Sequence, residues 1–305
     1  MLVAVLNLWN PHGSFTVGGA VLLAFALGMV HGITPDEHTW PITFSYSIGS
    51  GSSRKGLIAG LIFSLAFTLQ RMIASELAYF SLANFLVSRP WVNYLIYVVV
   101  GVAMAWAAKY LFRGNHWHLL SPSHHLDELV QGDKLADPKP WMPALHGFIA
   151  GWGVGAFALI IYTVLSPQMP SAAIGWLPGL AFGLGTTVVQ MLAGALFGYV
   201  ARRSHLDAGD IRKVSLVTAG RTLLIGGVAF TAAGLLGLVF PSVVGASVGT
   251  GLHIHNLARF GITQVLVIGV VIVVGIGTLV STTRAVIKVK RVPSGRDLES
   301  DRQLP

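Results

Sequence analysis

Between His31 and Pro41 the chain reads His-Gly-Ile-Thr-Pro-Asp-Glu-His-Thr-Trp-Pro. Imidazoles stand at His31 and His38, carboxylates at Asp36 and Glu37, and prolines at Pro35 and Pro41. Imidazole suits Ni, Co, Zn and Cu, and a carboxylate adds neutralising charge. The segment lies between two apolar runs, Val17 to Val30 and Ile42 to Ile48. These groups are therefore expected at membrane depth, where an ionisable side chain costs roughly 2.5–3.5 kcal/mol on insertion scales and marks function by default. Pro35 cannot donate to the carbonyl of His31, nor Pro41 to that of Glu37. A broken membrane helix with freed carbonyls beside imidazoles and carboxylates is how transporters build ion sites. In an unbroken helix His31 and His38 would lie about 10 Å apart along the axis. Sharing one ion requires the break; without it they mark successive stations on a path, or bond to neighbouring helices.

The elements that position this segment follow from composition. Hydrophobic residues make up 53% of the 305, charged residues only 10%, and there are 36 glycines. Soluble domains carry about 25% charged residues, so the expected fold class is an all-α integral membrane protein. Spans of about 20 apolar residues are predicted near 17–49, 56–87, 91–112, 143–165, 172–200, 213–240 and 262–284. The first is expected to break at its prolines. Residues 1–16 lack a basic n-region, so a cleaved signal peptide is not expected.

The chain repeats itself. His31-Gly32 and His146-Gly147 each open a run, and each run is followed by a Gly-rich span, Gly60 to Gln70 and Gly179 to Gln190. Three spans per repeat would place the second copy inverted, as in many secondary transporters. The predicted organisation is a first repeat over 1–112, a cytoplasmic His-rich loop over 113–142 and a second repeat over 143–240. An extracellular loop and last helix follow over 241–284, then a basic tail over 285–305. Orientation follows from Lys and Arg. Arg54, Lys55, Lys109, Arg113, Lys134, Lys139, Arg202, Arg203, Arg212, Lys213 and the tail fall on one side, against Arg89 and Arg259 on the other. This places the N-terminus outside and the C-terminus inside.

Other polar residues carry alternatives. His146 starts a span and is either a ligand or interfacial. Gln70 and Gln190 either coordinate a partly hydrated ion or bond across helices. Arg71, Glu76 and Arg221 form an ion pair between helices or line a proton path; the structural role is expected, because an unpaired charge there is costly. The loop histidines His116, His118, His124 and His125 offer weak metal capture or nothing. His253 and His255 are two rings in an outer loop.

Taken together, the chain resembles the nickel/cobalt exporter-type transporters within the lysine-exporter superfamily. The resemblance rests on an apolar helix ending in His-Gly-x-x-Pro-x-x-His (His31 to His38), a Gly-rich second helix, a His-rich loop after the third span, and a small-residue helix, Gly147 to Gly155, opening the second half. It implies a secondary transporter of Ni²⁺ or Co²⁺ across the cytoplasmic (inner) membrane, with metal ligands among His31, Asp36, Glu37, His38, His146, Gln70 and Gln190. Gln70 stands where relatives are expected to carry a histidine. Gly153 to Ala156 replace a Pro-Cys-Pro element, and Glu37 is an extra acid. The metal ion and the lipid bilayer are the expected partners, with no resident cofactor and no nucleic acid. The rival is a transporter of another solute, an amino acid or sulfur oxyanion, which calls for cationic residues at the site. A thiol-redox conduit is excluded by the absence of cysteine. No enzyme is expected: His-Glu-x-x-His is absent, and Ser50, Ser52 and Ser53 carry no protease signature.

Overall fold

The computed structural model describes residues 14–34, 39–82, 89–112, 136–153, 156–202, 206–249 and 259–291. Its elements in order are α1 (Val17–Ile33), α2 (Trp40–Gly49), α3 (Ser53–Tyr79), α4 (Pro90–Leu111), α5 (Trp141–Ala150) and α6 (Ala156–Ile160). A π turn over Ile161–Leu165 continues α6. Then come α7 (Leu177–Arg202), α8 (Ala208–Val239), α9 (Pro241–Val244), β1 (Ser247–Gly249), β2 (Arg259–Gly261), α10 (Ile262–Val267) and α11 (Gly277–Arg291), the last two joined by a π-helical stretch over Ile268–Ile276. By length and composition α3, α4, α7 and α8 can each cross a membrane; α1 and the helical run through Gln168 are apolar but shorter. The protein is an all-α, multi-pass membrane protein.

Local chemistry sets the helix starts. Thr16 accepts from Gly19 N at 3.2 Å, Ser52 from Lys55 N at 3.2 Å and Asp207 from Asp210 N at 2.9 Å, each satisfying an otherwise orphaned amide. Pro41 and Pro90 stand in the first turns of α2 and α4, where their missing N–H costs nothing. Gly51 turns the chain from α2 into α3 with φ +63°, a left-handed conformation that favours glycine.

Two differences from the sequence reading concern continuity. The span expected unbroken over 143–165 is broken as well: α5 stops at Ala150, Gly151 and Trp152 form a turn, and α6 starts only at Ala156. Three glycines at Gly151, Gly153 and Gly155 lower helix stability there by about 1 kcal/mol each relative to alanine. The second is a short antiparallel ladder, Ser247 with Gly261, Val248 with Phe260 and Gly249 with Arg259, ahead of the last helix.

Close backbone approaches at glycine reveal an internal two-fold relation. A Cβ on Gly60 would meet the carbonyl of Gln190, and one on Gly179 the carbonyl of Arg71. Likewise Gly28 abuts the carbonyl of Phe182, and Gly147 that of Phe63. Each partner of one contact answers to a partner of the other 119 positions away, the separation of Thr68 and Thr187, whose hydroxyls meet at 3.2 Å between α3 and α7. α3 and α7 therefore run antiparallel across a pseudo-two-fold axis, with α1 parallel to α7 and α5 parallel to α3. Small residues let the backbones approach this closely. The register corrects the sequence alignment of the repeats. Gly60 pairs with Gly179 as read, but Gly32 answers to Gly151 and His31 to Ala150, one helical turn away from the His-Gly pairing. Gln190 answers to Arg71 rather than to Gln70.

Two buried clusters fill the interior. One gathers Tyr46, Phe63, Met104, Phe112, Leu223 and Phe230; the other Leu23, Leu27, Phe67, Phe157, Tyr162 and Phe182. Leu22, Leu65, Leu192, Leu196 and Val239 are exposed, as lipid-facing side chains are.

Candidate functional site at the two broken helices

The two-fold relation maps the interruption between Ile33 and Trp40 onto the one between Ala150 and Ala156, so both breaks flank the α3/α7 crossing. Each α-helix ending there leaves carbonyls without intrahelical partners. At the first break Gly32 O accepts from Trp40 Nε1 at 3.1 Å and from Gln190 Nε2 at 3.3 Å. The Thr34 hydroxyl folds back onto Val30 O at 3.0 Å. At the second, Gly153 O accepts from Arg71 Nη2 at 3.1 Å. Gln190 and Arg71, at equivalent positions of α7 and α3, thus each reach a carbonyl at the opposite repeat's broken helix.

His31 lies in the last turn of α1 and is 4% exposed. Its ring stacks on Phe67 at 5.8 Å, lies 5.2 Å from Phe182 and meets the edge of Phe157 at 6.1 Å. Phe67 and Phe182 also hold the Arg71 guanidinium, at 4.6 and 5.5 Å. One pair of rings therefore carries an imidazole and a guanidinium. Arg71 Nη1 donates to Tyr162 Oη at 2.7 Å. The interhelical ion pair expected of Arg71 is not formed: among the described residues no carboxylate pairs with it, and Arg212–Asp137 is a surface pair at 3.0 Å. Aromatic faces and a helix-end carbonyl stand in for the anion. Glu76 lies against Gly175 instead. Arg221 is buried, and its Nε and Nη2 have no hydrogen-bond partner among the described residues.

Gln70 is fully buried, with its Oε1 against Gly151 at the end of α5, where a Cβ would lie 2.5 Å away. Neither its oxygen nor its nitrogen finds a partner among the described residues, and Gln190 Oε1 is likewise buried and unpartnered. Such groups cost about 1–3 kcal/mol each, and native structures hold few of them. His146 lies inside the bundle, 1% exposed, and not at an interface. Its Nδ1 is 2.9 Å from Met142 O and 3.1 Å from Tyr46 Oη. A protonated Nδ1 donates to the carbonyl, whereas a bare one accepts from the tyrosine hydroxyl.

Asp36, Glu37 and His38, with Pro35 between the helices, lie outside the described residues, as do the loop histidines and His253 and His255. Among the described residues no three His, Asp or Glu side chains converge. The structure thus brings His31, Gln190 and Arg71 to one crossing with Gln70 beside it, and sets His146 one turn of α3 away, against Tyr46. Tyr162, Thr68 and Thr187 escape sequence reading, since a lone hydroxyl in an apolar span has no periodicity of its own.

Residues 74–229 match the family described as the cytochrome C biogenesis protein transmembrane region. The chain belongs to this family. Among curated proteins and solved structures nothing matches. The matched stretch of this cytochrome c biogenesis-type membrane protein runs from Ala74 in α3 to Ala229 in α8. It includes the second broken helix and α7 but not α1 with His31. It is this family, not the nickel/cobalt family that the His31 motif resembles, that the match shows. With no cysteine, this member has no sulfur for thiol–disulfide exchange.

Proposed function

We propose that this protein is a secondary transporter, not an enzyme, and that it moves a divalent transition-metal cation, nickel or cobalt first, across the cytoplasmic membrane with its N-terminus outside. The observation that carries the reading is the pair of buried amide oxygens of Gln70 and Gln190, without partners among the described residues, at the ends of two broken helices. Discontinuous helices meeting at the interface of a repeat are where secondary transporters bind their cargo. The imidazole of His31, on the residue before the Gly32 whose carbonyl Gln190 meets, and the adjoining Asp36, Glu37 and His38 of the sequence, favour a borderline-soft cation. The test is a panel of Ni²⁺, Co²⁺, Zn²⁺ and Mn²⁺ uptake into proteoliposomes under gradients of both directions. Saturable uptake of Ni²⁺ or Co²⁺ is expected; no metal uptake, with uptake of an anionic solute, replaces this reading.

A second reading, transport of another small solute such as an amino acid or sulfur oxyanion, draws on a specific observation. Arg71 and Arg221 are both buried with no carboxylate partner among the described residues. Sulfate and amino-acid uptake belong in the same assay for that reason.

Two further outcomes are expected in this system. Ala substitution at His116, His118, His124 and His125 together shifts apparent affinity by no more than about tenfold and does not abolish transport, because a polar tract is not a preorganised site. Metal binding weakens as pH falls from about 7.5 to 5.5, since metal takes the neutral imidazole, whose ordinary pKa is about 6.5. Protonation competes below that value and is absent above it. Calorimetry in buffers of different ionisation enthalpy reads the protons released. Binding independent of pH over this range means that histidines are not ligands.

A further inference from the structure

We propose that Arg71 is a built-in substitute for a second bound cation, so that the two symmetric half-sites are chemically unequal: one receives a cation from solution and the other is permanently filled by the protein. This deepens the transporter reading and rests on it.

The two-fold relation makes positions 71 and 190 equivalent, because Gly179 abuts the carbonyl of Arg71 as Gly60 abuts that of Gln190. From these positions both side chains reach the carbonyl end of a broken helix. Gln190 donates to Gly32 O at 3.3 Å and Arg71 to Gly153 O at 3.1 Å. The carbonyl end of a helix carries a partial negative charge that favours a cation, and unwound carbonyls are what discontinuous membrane helices offer to coupling ions. The half-sites then diverge. Gln190 is neutral, and its buried Oε1 is an acceptor with no partner among the described residues. Guanidinium has donors and no acceptor and is always charged. On α1 the residue before Gly32 is His31, whose ring lies among Phe67, Phe157 and Phe182; the equivalent position 150 holds alanine and offers no ligand.

Arg71 is also housed as a cation would be. It is 3% exposed, its Nη1 donates to Tyr162 Oη at 2.7 Å, and Phe67 and Phe182 approach it at 4.6 and 5.5 Å. With no carboxylate paired to it among the described residues, the guanidinium draws its compensation from aromatic faces and carbonyl dipoles, the same groups that would hold a free ion. With the second half-site filled, one cargo cation binds per chain, and no second inorganic cation is needed to complete the site.

The test vacates the second half-site. The purified chain is compared with Arg71→Gln, Arg71→Lys, His31→Phe, the double variant His31→Phe/Arg71→Gln and its control His31→Phe/Arg71→Lys. Thermal unfolding is followed while Na⁺, K⁺, Ni²⁺ or Co²⁺ chloride replaces N-methyl-D-glucamine chloride at constant ionic strength. His31→Phe removes the imidazole from the crossing, so any cation effect that Arg71→Gln restores in that background comes from the vacated guanidinium site. The expected result is a melting temperature that rises by about 2–4 °C or more with at least one cation in the double variant. The rise is absent in His31→Phe alone and in Arg71→Lys combined with His31→Phe. This readout does not require transport, so it stands apart from a failure of nickel uptake. A double variant with no cation response overturns the proposal. So does an Arg71→Gln chain that no cation allows to fold while Arg71→Lys folds, because a vacated cation site is rescued by a cation. Stabilisation of the wild type by sulfate over chloride, lost in Arg71→Gln, overturns it as well and makes Arg71 an anion ligand.

Discussion

His31→Phe is expected to lower metal transport by more than about a hundredfold while the protein stays folded. The substitution keeps a flat ring among Phe67, Phe157 and Phe182 and removes the ring nitrogens. Alanine would leave a cavity among three rings and confuse lost binding with lost packing. His38→Ala and Asp36→Ala are expected to abolish transport as well, because these side chains complete the ligand set around Pro35 that the sequence predicts. Uptake into proteoliposomes, read beside size-exclusion profiles of the same preparations, separates the two causes. Wild-type uptake by a folded His31→Phe chain means that the imidazole is a packing ring. Wild-type uptake in both the His38 and Asp36 variants removes the predicted site altogether.

Gly60→Val is expected to destroy the folded bundle. The added Cβ would lie 2.5 Å from Gln190 O and 3.4 Å from Met191 Cα, and backbone cannot rotate away as a side chain does. The substitution forces α3 and α7 apart along the crossing that carries both half-sites. Overpacking costs about 1–3 kcal/mol in ordinary cores, and here the strain falls on main chain. Gly179→Val meets Arg71 O in the equivalent contact and should behave alike, since the two positions are related by the two-fold. Gly18→Ala is the control. A Cβ there meets nothing within 4 Å, and alanine favours the helix by up to about 1 kcal/mol. Fluorescence-detected size exclusion after a heating series reads all three. A Gly60→Val chain as heat-resistant as the Gly18→Ala chain would mean that α3 and α7 are not packed in this register.

Gly60 and Gly179 were alignable in the sequence because both open Gly-rich apolar runs. The histidines misled the same alignment. His-Gly recurs at His31 and His146, yet packing pairs Gly32 with Gly151, where each glycine lies against the opposite long helix. Backbone contact selects the small residue, and the imidazole beside it goes wherever the helix rotation carries it. The result separates the histidines by role. His31 lies among aromatic rings at the crossing, and His146 hydrogen-bonds Met142 O and Tyr46 Oη.

Hydrophobic length and the prolines before α2 are properties of consecutive residues, so the sequence by itself determined the membrane class and the interruption near His31. The break after Ala150 lay half-hidden, because glycine weakens a helix without removing a hydrogen bond. Only the tertiary structure decided the partners of Arg71. Its sequence neighbourhood called for a carboxylate, and Glu76 stands five residues on. The guanidinium instead meets Gly153 O beyond the end of α5, Tyr162 in the π turn after α6, Phe182 on α7 and Phe67 one turn back on α3 itself. Which groups surround a buried charge depends on helix rotation and crossing, and hydropathy records neither.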